Sequence, residues 1–171
     1  MPTRRLPLIV CLLMAVNGCV SALPGSAQHQ YLGQAPNLDR VSSADGLQTI
    51  EVPKSGQVTV AYFWATWCPP CKKSLPRLEA MQRNLKKQGL YLVGIAADEA
   101  VPKVMELKLK HELTFPMVLD GALKVFYKKY KASDQLPQTF IFDRLGRLRM
   151  VIRGKPDGFY ETLETAVKTL L

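Results

Sequence analysis

Cysteine, histidine and long apolar runs are all scarce in this sequence. Its 171 residues include 4 Cys and 2 His. Four Cys are too few for a disulfide-stapled miniprotein of this length, and two His are too few for a His-rich metal site. With 47% hydrophobic and 22% charged residues, the composition argues against a multi-span membrane protein and against a mostly disordered chain. The sequence therefore predicts an ordinary globular protein with one domain.

The first 22 residues have the composition of an export signal. Arg4 and Arg5 place positive charge near the start, and residues 6–16 form an uncharged, mostly apolar stretch. That stretch is too short for a transmembrane helix, which needs about 20 apolar residues. We therefore predict a signal peptide at residues 1–22, and hence an exported protein.

Two processing sites compete at the end of this signal. Residues 16–19, Val-Asn-Gly-Cys, resemble a bacterial lipobox and would leave Cys19 as a lipid-modified N-terminus. Residues 20–22, Val-Ser-Ala, resemble an ordinary cleavage site with small residues. Residues 23–36 follow either processing site. They contain Pro, Gly, Ser, Ala, Gln and His, and we expect them to form a tether.

If the protein is exported, Cys68 and Cys71 are the two cysteines whose role has to be explained. Removal of the signal takes Cys11 with it, and lipidation or removal of Cys19 leaves no free thiol there. Exported proteins work in oxidising compartments, where thiols form disulfides. A lone pair of closely spaced cysteines in such a compartment indicates a chemical role.

From residue 37 to residue 171 the apolar pattern predicts one unit of strands and helices. The predicted elements are short strands within 37–52 with a turn at 44–46, a buried strand at 57–64, a helix after Cys71 that Gly89 ends, a strand at 90–96, a helix that starts at Asp98 or Glu99 with Pro102 in its first turn, a strand at 115–119, a short helix around 123–130, a hairpin of strands 139–142 and 148–152, and a final helix around 160–170. This order is typical of an α/β domain with a mixed sheet.

The possible uses of a Cys-x-x-Cys pair favour a redox role for Cys68 and Cys71. A zinc site needs about four ligands, but the sequence has no second Cys pair, and His29 and His111 are far apart. Haem attachment needs a His directly after the second Cys, where this chain has Lys72. We therefore expect no metal and no cofactor, and a redox dithiol remains.

The predicted position of Cys68, between a strand and a helix, suits such chemistry. Unpaired N–H groups and the positive end of the dipole at a helix N-terminus favour a thiolate. Cys71 follows one turn later with its sulfur within reach of Cys68, and Lys72 and Lys73 add positive charge. The alternative is a purely structural disulfide, which is disfavoured because closing so short a loop stabilises a chain little.

Residues 63–73, Phe-Trp-Ala-Thr-Trp-Cys-Pro-Pro-Cys-Lys-Lys, resemble the active site of the TlpA/ResA group of bacterial thioredoxin-like proteins. The resemblance extends over residues 37–171. It implies a thioredoxin-like fold, with a central mixed sheet flanked by helices and an N-terminal β extension. Members of this group are exported thiol–disulfide oxidoreductases, and many act in cytochrome c maturation.

A second loop also resembles this group. Residues 136–140, Leu-Pro-Gln-Thr-Phe, are similar to the loop that holds the fold's cis-proline. By that resemblance Pro137 is expected to be cis and to lie beside the Cys pair, with Gln138 near the backbone of the substrate. The resemblance implies substrate contacts at Trp67, Pro69, Pro70, Pro137 and Gln138.

Glu99 occupies the place where the group often has an acidic residue under the active site. The resemblance implies that its carboxylate raises the pKa values of the thiols and exchanges a proton with the buried sulfur. This chain departs from the group at Asp98, where a glycine is usual. The alternative interpretation of Glu99 is a carboxylate that complements the dipole of the following helix.

The expected reaction is the reduction of a client disulfide, in which the Cys68 thiolate attacks and Cys71 resolves the mixed disulfide. The resemblance implies work in the periplasm or on the outer face of the cell membrane, a protein disulfide or dithiol as substrate, and a membrane thiol-transfer protein as electron donor. The net charge of +9 favours acidic partners or surfaces, and the sequence has no recognisable nucleic-acid-binding motif. Two alternatives stay open: a disulfide-forming oxidant, and an anchored binding module whose disulfide is inert.

Overall fold

A computed structural model describes residues 32–35, 39–97, 100–119 and 135–171. It begins with the predicted pair of short strands, β1 (Asp39–Ser42) and β2 (Thr49–Val52), which pair antiparallel. In the turn between them, the Asp45 carboxylate accepts hydrogen bonds from the Ser43 hydroxyl (2.5 Å) and the Leu47 N–H (3.1 Å). Aspartate stabilises turns in this way because its short side chain bonds to neighbouring groups of the chain. The N-terminal β extension is thus confirmed.

In the described residues, the main sheet has five strands. They are β3 (Val58–Trp64), β4 (Leu90–Ala96), β5 (Met117–Leu119), β6 (Gln138–Phe142) and β7 (Leu148–Arg153), in the order β5-β4-β3-β6-β7. Strands β3, β4 and β5 are parallel, whereas β6 runs antiparallel to both β3 and β7. The predicted mixed sheet is therefore confirmed. All seven residues of β3 are buried, as expected for a central strand covered on both faces.

Three helices surround the sheet in the described part of the chain: α1 (Pro69–Leu85), α2 (Val101–Lys110) and α3 (Phe159–Leu170). A single 3₁₀ turn extends α1 and ends at Gly89, whose φ of 107° suits a residue without a side chain. None of the described helices is long and apolar enough to span a bilayer.

Proline explains two boundaries that were predicted wrongly. Helix α2 begins at Val101 rather than at Asp98 or Glu99, because Pro102 has no N–H to donate and is tolerated only in the first turn. Strand β5 begins at Met117 rather than at residue 115, because Pro116 offers no N–H to a neighbouring strand. The helix predicted around 123–130 lies outside the described residues.

The core has two layers, one on each face of the main sheet. Alternate residues of β3 enter both, as the two-residue period of a strand requires. The first layer, which includes Tyr62 and Trp64, packs against α1 and α3. The second layer, which includes Phe63, is covered by Ile50 and Val52 of β2. The β extension thus covers the sheet face that α1 and α3 leave open.

Most of the expected N-terminal segments lie outside the described residues: the signal at 1–22, Cys19, and the tether as far as residue 31. Residues 32–35, at the end of the expected tether, lie against the domain. The Gly33 N–H donates to the Leu148 carbonyl (2.7 Å), and the Leu148 N–H donates to the Gln34 carbonyl (3.0 Å). Leu32 packs against the second core layer. Residues 32–35 therefore pack as part of the folded domain.

Candidate active site

Cys68 and Cys71 lie where the central strand passes into the first helix. Residues 65–67 connect β3 to Cys68, which caps α1 with an extended backbone (φ −95°, ψ 102°). Cys71 is the third residue of α1, and its Cα lies 5.3 Å from that of Cys68. The two sulfurs are joined in a disulfide. The predicted placement of the pair at a helix N-terminus is confirmed.

The local sequence explains why the helix begins here. Pro69 and Pro70 occupy its first two positions, where a backbone N–H has no partner within the helix and the fixed φ of proline is already helical. The Cys68 carbonyl accepts the first helical bond, from the Lys72 N–H at 3.1 Å. No side chain caps the helix at Cys68. The Cys68 sulfur thus lies at the positive end of the helix dipole, which favours its thiolate in the reduced protein.

The two cysteines differ in their access to solvent. Cys68 keeps 4% of its surface exposed, whereas Cys71 has none. The residues around Cys68 are exposed: Pro69 and Pro70 face solvent, and Trp67 is 66% exposed. Of the two buried cysteines, Cys68 is therefore the one that lies next to exposed surface.

The second predicted loop reaches the same end of the sheet. The Leu136–Pro137 peptide bond is cis, as predicted. Gln138 pairs with Phe63 in the register of β6 and β3, so Pro137 lies beside the end of β3 that leads to Cys68. The Gln138 side chain is fully buried and donates to the Gln135 carbonyl (2.8 Å). The sequence did not indicate this inward orientation of the Gln138 side chain.

Comparison with known proteins agrees with this geometry. Residues 34–151, more than half of the chain, match the model of the AhpC/TSA family. The chain belongs to this thioredoxin-like family. Sporulation thiol-disulfide oxidoreductase A of Bacillus subtilis is 32% identical over 152 residues, which cover 86% of this chain and 88% of that protein. Thiol-disulfide oxidoreductase ResA of Bacillus thuringiensis is 28% identical over 71% of this chain and 69% of its own. This protein is accordingly a thiol–disulfide oxidoreductase.

Solved structures show the same fold. StoA of Bacillus subtilis superposes with a TM-score of 0.64 at 27% identity, over 77% of this chain and 96% of its own. A thioredoxin-family thiol:disulfide interchange protein of Chlorobium tepidum superposes with a TM-score of 0.70 at 24% identity, over 84% of this chain and 99% of its own. The predicted thioredoxin-like fold is therefore confirmed.

The acidic residue predicted beneath the disulfide of this oxidoreductase, Glu99, lies outside the described residues, as does Asp98. Two other carboxylates, Glu79 and Asp143, are buried in the described part of the chain. Each is held by an arginine, Glu79 by Arg83 (2.5 Å) and Asp143 by Arg147 (2.8 Å). Both therefore serve as acceptors in their own ion pairs.

The sequence analysis did not find a group of hydroxyls that lies against the first turn of α1. The Tyr62 hydroxyl donates to the Cys71 carbonyl (3.3 Å), and the Ser74 hydroxyl donates to the Pro70 carbonyl (3.1 Å). The Tyr160 hydroxyl, from α3, donates to the Ser74 oxygen (3.2 Å). We call Tyr62, Ser74 and Tyr160 the hydroxyl chain. One signal was available for Ser74, because a residue three positions after Cys71 shares its face of the helix.

Burial changes the acidity of Tyr62, one of the three residues of the hydroxyl chain. Desolvation raises the pKa of Tyr62 well above its ordinary value, although the hydrogen bond with Ser74 opposes the rise. The Tyr62 phenol therefore stays protonated at neutral pH and remains able to donate.

Proposed function

We propose that this oxidoreductase reduces disulfides of other proteins in the cell envelope. The observation that carries the proposal is the asymmetry of the pair. Cys68 lies at the N-terminus of α1 within an exposed rim that includes Trp67, and Cys71 lies directly behind it without solvent access. Such an arrangement favours one cysteine as the attacking nucleophile and the other as the resolving thiol.

The proposed reaction begins with the reduced protein. The Cys68 thiolate attacks one sulfur of a client disulfide, forms a mixed disulfide and releases the other client sulfur as a thiolate. The Cys71 thiol then loses its proton and attacks the Cys68 sulfur. The bond between Cys68 and the client breaks, the client leaves as a second thiolate that takes a proton from water, and the Cys68–Cys71 disulfide forms. Two electrons pass from this protein to the client.

The surface around Cys68 supports the proposed substrate contacts. Trp67, Pro69 and Pro70 are exposed beside the attacking sulfur, and they present apolar and rigid surface to a client. Pro137 and Gln138 lie at the same end of the sheet. Because the Gln138 side chain is engaged with its own loop, we assign this loop's contact with the client to its backbone.

Glu99 is proposed as an acid–base group for the buried sulfur. The proposal rests on its place in the sequence, directly before α2 and after the carboxyl end of β4, the neighbour of β3. A carboxylate beneath the pair would raise the pKa of the Cys71 thiol and exchange protons with it. The variant Glu99→Gln tests this role through the rate of the resolving step. An unchanged rate at every pH would contradict it.

The midpoint potential of the Cys68–Cys71 pair decides the direction of electron flow. We expect a potential nearer to about −270 mV, typical of a reductant, than to about −120 mV, typical of a disulfide-forming oxidant. Equilibration in dithiothreitol and glutathione buffers, followed by alkylation and mass measurement, gives this value. The double variant Cys68→Ser/Cys71→Ser controls for other modifications. A potential near the oxidising value would assign the protein to the alternative function.

The proposal places the domain outside the cytoplasm and near a membrane, where a membrane thiol-transfer protein would restore the dithiol. Its support is the signal-like sequence at residues 1–22. If Cys19 carries a lipid, the 12 residues between it and Leu32 reach at most about 40 Å when extended. Such a tether would keep the disulfide close to a membrane donor. Cytochrome c maturation, which needs reduced client thiols, is a pathway that this chemistry would serve.

Mass spectrometry of the exported protein tests the anchor. We expect an N-terminal Cys19 with the added mass of a diacylglyceryl group. An unmodified N-terminus at Leu23 would show that the ordinary cleavage site is used and that the domain is not lipid-anchored.

A further inference from the structure

We propose that the end of the domain opposite the disulfide binds the anionic surface of a lipid bilayer. We call this end the basal surface and define it by Lys54, Lys86, Lys87, Arg144 and Leu145. Its four cations contact lipid phosphates, and the leucine enters the layer of headgroups. The disulfide exchange does not use this surface, so the proposal is independent of the clients and of the direction of electron flow.

The sheet topology places the basal surface far from the active site. Strands β3 and β4 begin at this end of the sheet, β6 ends there and β7 begins there, whereas Cys68 follows the other end of β3. The seven residues of β3 span about 20 Å, since a strand rises about 3.3 Å per residue. The active site and the basal surface are therefore at opposite ends of the molecule.

The loops that carry the four cations are in contact with one another. The Gly56 N–H, two residues after Lys54, donates to the Arg144 carbonyl (3.2 Å). The Arg144 guanidinium reaches the end of the 3₁₀ turn, where its Nη2 lies 3.9 Å from the position that a Cβ would take at Gly89. That turn, residues 86–88, carries the two lysines. The cations thus come from three neighbouring loops at one end of the sheet.

The positive charge of the basal surface is only partly neutralised. The Lys86 and Lys87 side chains are exposed, and neither forms an ion pair with a residue that the structure describes. Lys54 pairs with Glu51 (3.4 Å), and Arg144 donates to a backbone oxygen just after α3. A lysine or arginine close to an anionic bilayer strengthens binding about fivefold. Two unpaired lysines side by side are therefore enough for a measurable affinity.

An exposed leucine forms the tip of the turn between β6 and β7. Leu145 directly follows Arg144 and is 71% exposed. Its N–H donates to the buried Asp143 carboxylate (2.9 Å), which also accepts from the Arg147 N–H (2.9 Å) and so fixes the shape of the turn. A single exposed leucine is common on protein surfaces. Here it is flanked by cations, and that combination binds anionic bilayers by placing apolar groups among the headgroups.

The N-terminal chain joins the domain at the same end. The Gly33 N–H and the Gln34 carbonyl bond to the two backbone groups of Leu148, the first residue of β7 and a near neighbour of Leu145. An anchor in the segment before residue 32, as proposed above, would therefore hold the basal surface, and not the disulfide, toward a membrane. This observation favours a bilayer over an acidic protein as the binding partner.

Binding through the basal surface fixes the orientation of the active site. The disulfide lies at least about 20 Å from the bilayer and faces away from it. The exposed Trp67 lies at the disulfide end, so lipid does not cover it. Proteins of the surrounding compartment reach the rim of Cys68 without competing with lipid.

Cosedimentation with vesicles tests the binding. The protein is isolated after export, and Cys19→Ala is present in every sample so that no attached lipid holds the chain on the vesicles. We expect the oxidised protein to bind vesicles of equimolar phosphatidylglycerol and phosphatidylcholine, with an affinity that falls as salt rises. Vesicles of pure phosphatidylcholine should bind it at least about tenfold more weakly, because they offer no net negative charge.

Paired lysine variants locate the binding surface. Lys86→Gln/Lys87→Gln should weaken binding to the mixed vesicles at least about tenfold, because both charges meet the bilayer. The matched control is Lys72→Gln/Lys73→Gln, which removes the same charge from the opposite end of α1. It should change the affinity by less than about twofold, since these lysines lie beyond the reach of the lipid charge. Leu145→Ser should also weaken binding to the mixed vesicles.

Tryptophan fluorescence shows which end meets the bilayer. The chain has two tryptophans, of which Trp64 is buried and Trp67 is exposed at the disulfide end. Brominated phosphatidylcholine in the mixed vesicles quenches indoles that enter the bilayer. It should leave the emission of the two native tryptophans unchanged, and it should quench the additional emission of Leu145→Trp.

Four results would each overturn the proposal. Absence of binding to both kinds of vesicle would leave the basal surface to a protein partner. Equal binding to both kinds would show that the cations are not involved. Equal losses in the two double-lysine variants would indicate an effect of net charge alone. Quenching of Trp67 without quenching of Leu145→Trp would place the disulfide end on the bilayer.

The proposed function is tested apart from lipid binding. Insulin reduction is measured in solution without vesicles, and Lys86→Gln/Lys87→Gln should reduce insulin at the wild-type rate. A wild-type protein that binds the mixed vesicles but does not exchange disulfides would contradict the proposed function and leave the basal surface in place. An active protein that ignores vesicles would do the reverse.

Discussion

Replacement of Cys71 by Ser is expected to abolish turnover and to leave clients covalently attached to Cys68. Without the second thiol, the mixed disulfide has no internal nucleophile to break it. Cys68 is unchanged in this variant and still lies at the exposed N-terminus of α1, so the first attack should proceed. Reduction of insulin by dithiothreitol in the presence of the protein measures turnover. Non-reducing gels of the exported protein reveal the trapped complexes.

The matched control for this experiment is the double variant Cys68→Ser/Cys71→Ser. It should show neither turnover nor trapped complexes, because no nucleophile remains. If Cys71→Ser forms no mixed disulfides while its Cys68 is still alkylated by a thiol reagent, then the pair does not turn over on protein disulfides. An inert disulfide predicts a further result, namely that the wild-type protein reduces insulin no faster than the double variant.

Replacement of Glu79 by Ala should lower the free energy of unfolding by about 2 kcal/mol. The Glu79 carboxylate is buried in α1 and accepts hydrogen bonds from the Thr114 N–H (2.8 Å) and the Thr114 hydroxyl (2.9 Å). It also pairs with Arg83 at 2.5 Å, but that side chain is half exposed, so the ion pair itself contributes less than about 1 kcal/mol. Most of the loss comes from donors at Thr114 that lose their acceptor. Urea denaturation measures the change.

Glu164→Ala is the matched control, because Glu164 also pairs with a cation one turn later in a helix. Its partner is Lys168 at 2.7 Å, and both side chains are more than half exposed. We expect a change within about 0.5 kcal/mol. A similar small change in Glu79→Ala would show that the contacts between α1 and Thr114 do not stabilise the fold. A change in the slope of the unfolding curve, rather than in its midpoint, would point to an altered denatured state instead.

Much of the fold followed from local patterns. The β-rich apolar run ahead of the cysteines predicted a strand buried on both faces, and β3 is fully buried at the centre of the sheet. The hairpin predicted at residues 139–152 is formed by β6 and β7, and Gly146 in its turn has a φ of 74°. Such features are predictable because they depend on the conformational preferences of a few adjacent residues. The errors at α2 and β5 concern proline, whose missing N–H moves an element's first residue.

The candidate site was predictable only in part. Cys68, Cys71 and the cis bond at Pro137 could be located from short motifs. The inward orientation of the Gln138 side chain could not, because its burial depends on the pairing of β6 with β3 and β7. The roles of Trp67, Pro69, Pro70 and Glu99 stay predictions.

By itself, the sequence determined which two cysteines lie together at the N-terminus of α1. Pro69 and Pro70 directly after Cys68 favour a helix that begins there, because the fixed φ of proline suits the first turn of a helix. Only the tertiary structure decided which distant side chains contact α1. Ser74 and Tyr160 are 86 positions apart, and Glu79 and Thr114 are 35 positions apart. Contacts between such distant residues exist only after helices and strands have packed, because they depend on the relative placement of whole elements and not on any local preference.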